Sequence, residues 1–109
     1  SGNPRREFLH VDDLADAAVY LMQHYDAEEI VNVGVGSDLS IRELAELVAD
    51  VVGFKGELCF DASKPDGTPQ KLLDVSKLTG LGWQSGIDLR QGLANTYQWF
   101  LENQSKLRL

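Results

Sequence analysis

The stretch Ile30 to Gly53, IVNVGVGSDLSIRELAELVADVVG, runs from a short apolar segment closed by glycine into an amphipathic helix. In its second half Ser40 and Glu43 stand at capping-box spacing, at which the hydroxyl takes the amide three residues on and the carboxylate reaches back to the cap amide. Ile41, Leu44, Ala45, Val48 and Val52 recur on one side of a 3.6-residue repeat, and Gly53 supplies a left-handed stop. This predicts a helix over 40–53, preceded by a buried strand at Ile30–Gly34.

Toward the N-terminus, VDDLADAAVYLMQHY places Leu14, Ala17, Ala18, Leu21 and Tyr25 at helical spacing, with Asp12 or Asp13 as the N-cap, and Glu7–Val11 in front of it reads as a short strand. Toward the C-terminus, Glu57–Phe60 reads as a third strand. The following ASKPDGTPQK reads as an exposed loop, because it holds two prolines, a Pro-Asp-Gly turn and nothing apolar larger than alanine. A helical turn near Val75–Thr79 leads through Gly80 and Gly82 to a last helix from Asp88 to about Asn103. Leu89, Leu93, Tyr97, Phe100 and Leu101 should face inward, and the tail QSKLRL should fray. Strands alternating with helices predict the α/β class: a small, mostly parallel sheet of three short strands with flanking helices, forming one compact unit.

Composition narrows the function classes. Ten Lys and Arg against seventeen Asp and Glu leave a net charge of -7, which argues against nucleic acid as a partner. No apolar run approaches the roughly 20 residues that a bilayer crossing needs, so no membrane role is expected and the cytoplasm is the default compartment. The single cysteine, Cys59, excludes an internal disulfide and reads as a small core residue within its apolar strand.

Catalytic and cofactor motifs fail one by one. Gly34-Val35-Gly36 between strand and helix has the beginning of a dinucleotide-binding loop, but the sixth position, where a third glycine would let helix and strand approach, is Leu39. Backbone relief by the two glycines and the Ser40 cap explain that loop. A Tyr-x-x-x-Lys pair is absent, since the residues four after Tyr20, Tyr25 and Tyr97 are His24, Glu29 and Leu101. His10 and His24 have no partners at zinc spacing, and His10 reads as a packing residue. No catalytic residue and no metal ligand is assigned.

Two cation-bearing segments remain. Asn3-Pro4-Arg5-Arg6 sets guanidinium groups before a strand, where a planar fork can hold a phosphate by two bonds. The loop Lys64 to Lys71, KPDGTPQK, adds ammonium donors, with Asp66 able to accept from hydroxyls. An anion together with hydroxyls describes a nucleotide sugar; solvated surface charge is the plainer alternative.

SGNPRREFLHVDDLADA resembles the motif G-S-G-x-P-x-R-[ED]-F-[ILV]-[HY]-V-x-D of extended short-chain dehydrogenases that modify nucleotide sugars. DASKPDGTPQKLLDV and GLANTYQWFLENQ look like the branch of that family that forms GDP-L-fucose, and the resemblance covers essentially all 109 residues. It implies the C-terminal, substrate-binding part of a Rossmann-type enzyme, an NADPH-dependent epimerase and reductase acting on GDP-4-keto-6-deoxy-D-mannose. The NADP-binding Rossmann domain and the catalytic residues would lie in an N-terminal region outside these residues, so the chain alone should be inactive. The chain starts inside the motif at Ser1, which gives the expectation of a piece of a longer protein.

Carried over position by position, Arg6 matches the arginine that holds the GDP diphosphate, Lys71 a second basic substrate contact, and Asp66 an acidic contact to ribose or sugar hydroxyls. Arg5 falls on a free motif position, and the resemblance implies a base in many members where Gln70 stands. The partner expected is a GDP-sugar, with a homodimer for the whole enzyme and a monomer for this chain. The alternatives are the corresponding part of a UDP- or dTDP-sugar epimerase or dehydratase, and a non-catalytic binding or protein-interaction module.

Overall fold

Helix α2 (Ile41–Val52) forms where its capping signals place it. Ser40 Oγ accepts from the Glu43 N–H at 3.1 Å, the Glu43 carboxylate accepts from the Ser40 N–H at 2.7 Å, and Gly53 closes the helix at φ 76°. The computed structural model describes residues 1–108. Three further helices follow the same chain order as the sequence predicts: α1 (Val11–His24), α3 (Ser76–Gly80) and α4 (Leu89–Asn103), the last capped by Asp88 and followed by a 3-10 turn at Gln104–Lys106 where fraying was expected.

The N-cap of α1 is His10, not Asp12 or Asp13. Its Nδ1 accepts from the Asp12 N–H at 3.1 Å, because the chain turns helical at Val11, two residues earlier than an Asp12 cap requires. The His10 ring also lies against α4, where a Cβ on Gly92 would come within 2.9 Å of it, so Gly92 is the buried residue of that helix. Asp13 is thereby released for another task. It is buried and accepts from the N–H groups of Gly86 at 3.2 Å and Ile87 at 2.9 Å, fixing the turn that leads into α4.

Ala17 of α1, Leu78 of α3 and Trp83 form the buried core, with Leu9, Tyr20, Leu21, Val31 and Val33 packed around them. Two hydrogen bonds orient it: Trp83 Nε1 donates to Asp16 at 2.8 Å, and the Tyr20 hydroxyl donates to the Leu81 carbonyl at 2.6 Å. The inward side of α1 therefore runs Asp13, Ala17, Tyr20, Leu21, while Leu14 and Ala18, expected inside, are exposed. Phe100, Leu101 and Cys59 are likewise exposed rather than buried. With so small a core the chain is open: its radius of gyration is 16.7 Å, against about 13 Å for a compact domain of this length.

The sheet does not use the apolar segments. Ile30–Gly34, Glu7–Val11 and Glu57–Phe60 have no ladder partners, and Ile30 is largely exposed although Val31 and Val33 reach the core. The strands are two residues each, β1 (Arg5–Arg6), β2 (Leu39–Ser40) and β3 (Gln70–Lys71), in the order β2-β1-β3. β1 is antiparallel to β2 and parallel to β3, so this α/β sheet is mixed rather than mostly parallel. Backbone pairing around the buried Gly2 and Pro4 extends it: Arg42 N–H donates to Gly2 C=O and Ile41 N–H to Pro4 C=O, each at 2.9 Å, and Arg5 N–H to Pro69 C=O at 2.8 Å.

Leu78→Ala should destabilise the chain by about 2–5 kcal/mol, because it opens a cavity in the core. Leu14→Ala, at a half-exposed position, should cost under about 1 kcal/mol. Urea denaturation of the two variants measures the difference, and equal losses would contradict the core assignment.

Candidate functional site

The register of the sheet sorts its basic residues. Arg6 is opposite Lys71 on β3 and Leu39 on β2, and Arg5 is opposite Gln70 and Ser40. Register partners on neighbouring strands share a face at a separation of about 4.8 Å, and successive residues take opposite faces. Arg6 and Lys71 thus lie together on one side, with Arg5 and Gln70 on the other.

Their surroundings differ as sharply as their faces. Arg5 Nε donates to Asp38 Oδ1 at 2.9 Å, its Nη2 donates to the Asp38 carbonyl at 3.3 Å, and its Nη1 lies 3.8 Å from Glu43. Gln70 Nε2 donates to the other Asp38 oxygen at 2.6 Å. Arg6 makes only an Nη1 bond to the Arg5 carbonyl at 2.7 Å, and among the described residues neither Arg6 nor Lys71 has a carboxylate at ion-pair distance. Two adjoining cations without counter-charge make a locally positive face in a chain of net charge -7.

Asp66 is not brought to that pair by any contact. Its carboxylate receives the Ser1 ammonium at 2.6 Å and the Ser1 hydroxyl, and these hold its carboxyl below the usual carboxylate range. Lys64 stays exposed in its loop. A groove of about 410 Å³ opens beside β2, walled by Phe8, Val35, Asp38, Leu39, Ile87 and Leu89, and so includes the β2 partner of Arg6.

The sequence reading missed Glu7 and Asp38. Glu7 Oε2 accepts from Val35 N–H at 2.7 Å and Gly36 N–H at 2.6 Å, and Oε1 accepts from Leu73 N–H at 3.2 Å. A Cβ on Gly34 would stand 2.7 Å from that carboxylate, so a side chain there would have to displace Glu7. The Gly34-Val35-Gly36 loop is an anion cradle whose anion is the protein's own side chain. Its amides are engaged, and it does not fit a phosphate of NADP. The signal that could have found Glu7 was the combination of a Gly-x-Gly turn and an unassigned acid beside the arginines. Among the described residues no group of three metal-ligating side chains occurs.

Residues 1–34 match the model of the NAD dependent epimerase/dehydratase family. Within that class the chain is similar along its length to GDP-L-fucose synthases. A putative GDP-L-fucose synthase 2 of Arabidopsis thaliana is 63% identical over 94% of this chain and 31% of its own length, and the GDP-L-fucose synthase of Escherichia coli is 56% identical over 99% and 36%. The fold agrees with a solved GDP-L-fucose synthetase of Naegleria fowleri bound to NADP, with a TM-score of 0.94 and 34% identity over all of this chain and 35% of that one. The chain spans about a third of the length of these relatives.

Asp38 offers a test of the geometry by pH. The Gln70 amide and then the Arg5 guanidinium hold its carboxyl below the ordinary range. Its contribution to stability is therefore present above the unfolded value of about 3.9 and is lost as pH falls through the lower folded value. Asp38→Asn should flatten the acid limb of the stability curve, followed by circular dichroism below about pH 4; an acid limb identical to that of the parent chain would contradict the contacts.

Proposed function

We propose that this chain is the GDP-sugar-binding portion of an NADPH-dependent epimerase-reductase that converts GDP-4-keto-6-deoxy-D-mannose to GDP-L-fucose. The observation that carries the proposal is the Arg6 and Lys71 pair, adjacent in register on one face and without a counter-charge among the described residues. A guanidinium offers a planar fork to two phosphate oxygens and an ammonium offers a movable point charge, so together they suit a diphosphate better than a single carboxylate. The resemblance to GDP-L-fucose synthases, shared by solved relatives, supplies the choice of nucleotide.

In this reading residues 1–109 act as one substrate-binding unit. Asp66 accepts from ribose or sugar hydroxyls, as it accepts here from the Ser1 hydroxyl. NADPH supplies the hydride when bound, and it is held by a part of the enzyme to which these residues contribute no glycine-rich cradle. No residue here is positioned as an acid, base or nucleophile for the sugar, so the chain by itself orients substrate and does not turn it over. The whole enzyme works as a cytoplasmic homodimer, and the isolated chain is a monomer.

A titration of isotope-labelled chain with millimolar GDP tests this by nuclear magnetic resonance. Shifts should centre on Arg6 and Lys71, and Arg6→Ala should weaken binding about tenfold or more, the scale of a lost charge-assisted bond. UDP should bind more weakly; an equal response to UDP favours the UDP-sugar branch, and shifts scattered over unrelated lysines would overturn the site. In a complete enzyme carrying this sequence, Arg6→Ala should raise KM with kcat little changed, since the contact is made equally in ground and transition states.

A further inference from the structure

We infer that Asp38 is a positioning residue that sets the pairing of Arg6 with Lys71, an inference that rests on the diphosphate reading above. Apart from the Glu7 carboxylate, which takes the Leu73 N–H just beyond β3, the sheet has little to hold its register. Each strand contributes two residues, and outside the strand pairing β1 and β3 are joined by the one backbone bond from Arg5 N–H to Pro69 C=O at 2.8 Å. A parallel pair that slips by one residue sends its side chains to the opposite face. Such a slip of β3 would take Lys71 away from Arg6 and leave each cation alone.

Asp38 sits just ahead of β2 and closes this freedom from the side. Its Oδ1 receives Arg5 of β1 at 2.9 Å and its Oδ2 receives Gln70 of β3 at 2.6 Å, so one carboxylate bridges all three strands with both oxygens engaged. The side chain is only 9% exposed, so water competes poorly for it. Arg5 and Gln70 are register partners, which means the bridge forms only when Arg6 and Lys71 are also opposite one another. The bridge has a second consequence, because neutralising Arg5 leaves Arg6 as the guanidinium available to an external anion. Gln70 acts as the amide that ties β3 to this clamp. Glu43 lies 3.8 Å from Arg5, but its carboxylate is engaged with the Ser40 N–H and no hydrogen bond joins it to Gln70, so it cannot take over the bridge.

The test is a double-mutant cycle on the 109-residue chain, read as the dissociation constant for GDP-mannose by resonance titration. Its diphosphate is esterified at both ends and keeps its charge across the pH range used. Asp38→Ala should weaken binding about threefold to tenfold, the range of coupling within one network, although Asp38 need not touch the ligand. In an Arg6→Ala background the same change should weaken binding far less, because the group it positions is gone. A purely structural loss would lower both backgrounds alike, and that result, or an Asp38→Ala chain that binds as tightly as the parent, would overturn the inference. If Arg6→Ala binds like the parent, the diphosphate reading itself fails and the inference falls with it. Should Asp38→Ala fail to fold, Asp38→Asn replaces it in the cycle, keeping the shape and one acceptor oxygen, and is read by the same two outcomes.

Discussion

The Glu7 carboxylate, taking the N–H groups of Val35, Gly36 and Leu73, is the interaction on which the rest of this structure depends. Hydrogen bonds to a charged acceptor contribute roughly 1.5–3 kcal/mol, against about 0.5–1.5 for a neutral backbone pair. Three of them therefore reinforce substantially a sheet whose strands are two residues long. They draw the segment before β2 and the segment after β3 onto the end of β1, and the strands can then meet. A side chain on Gly34 would have to displace that carboxylate.

Around that anchor the residues of β1 divide their tasks by alternation. Arg5 and Glu7, on either side of Arg6, are both consumed by contacts that hold neighbouring segments, Arg5 with Asp38 and Glu7 with the backbone amides. Arg6 between them keeps only a bond to its neighbour's carbonyl. A run of three charged residues that reads as one polar patch is thus two supports and one free cation. Lys71 joins that cation through register alone, although the two are far apart in sequence.

The helices were legible because their signals are local. Ser40 with Glu43 and Gly53 act within one turn of the helix end they define, and each forms as read, while Asp88, read as the start of the last helix, is its N-cap. The strands were not legible, since apolar runs report burial rather than pairing, and here the pairing falls on Arg5–Arg6, Leu39–Ser40 and Gln70–Lys71, which carry no periodicity. The packed side of α1 was misread because the helix is apolar on more than one side, and Asp13 and Tyr20 face inward through hydrogen bonds that periodicity does not register. Spacing offered Arg5 and Arg6 as equals and only the family resemblance chose Arg6. Geometry adds a separate physical reason, the capture of Arg5 by Asp38 across 33 residues of sequence. No local pattern could have revealed that contact.

A crystal structure of the chain with GDP-mannose tests the central claim most directly. The account predicts diphosphate oxygens in hydrogen-bonding contact with the Arg6 guanidinium and the Lys71 ammonium, with Arg5 still bound to Asp38. A diphosphate seated instead on the Gly34-Val35-Gly36 loop, with Glu7 displaced, or one held by Arg5, would contradict it.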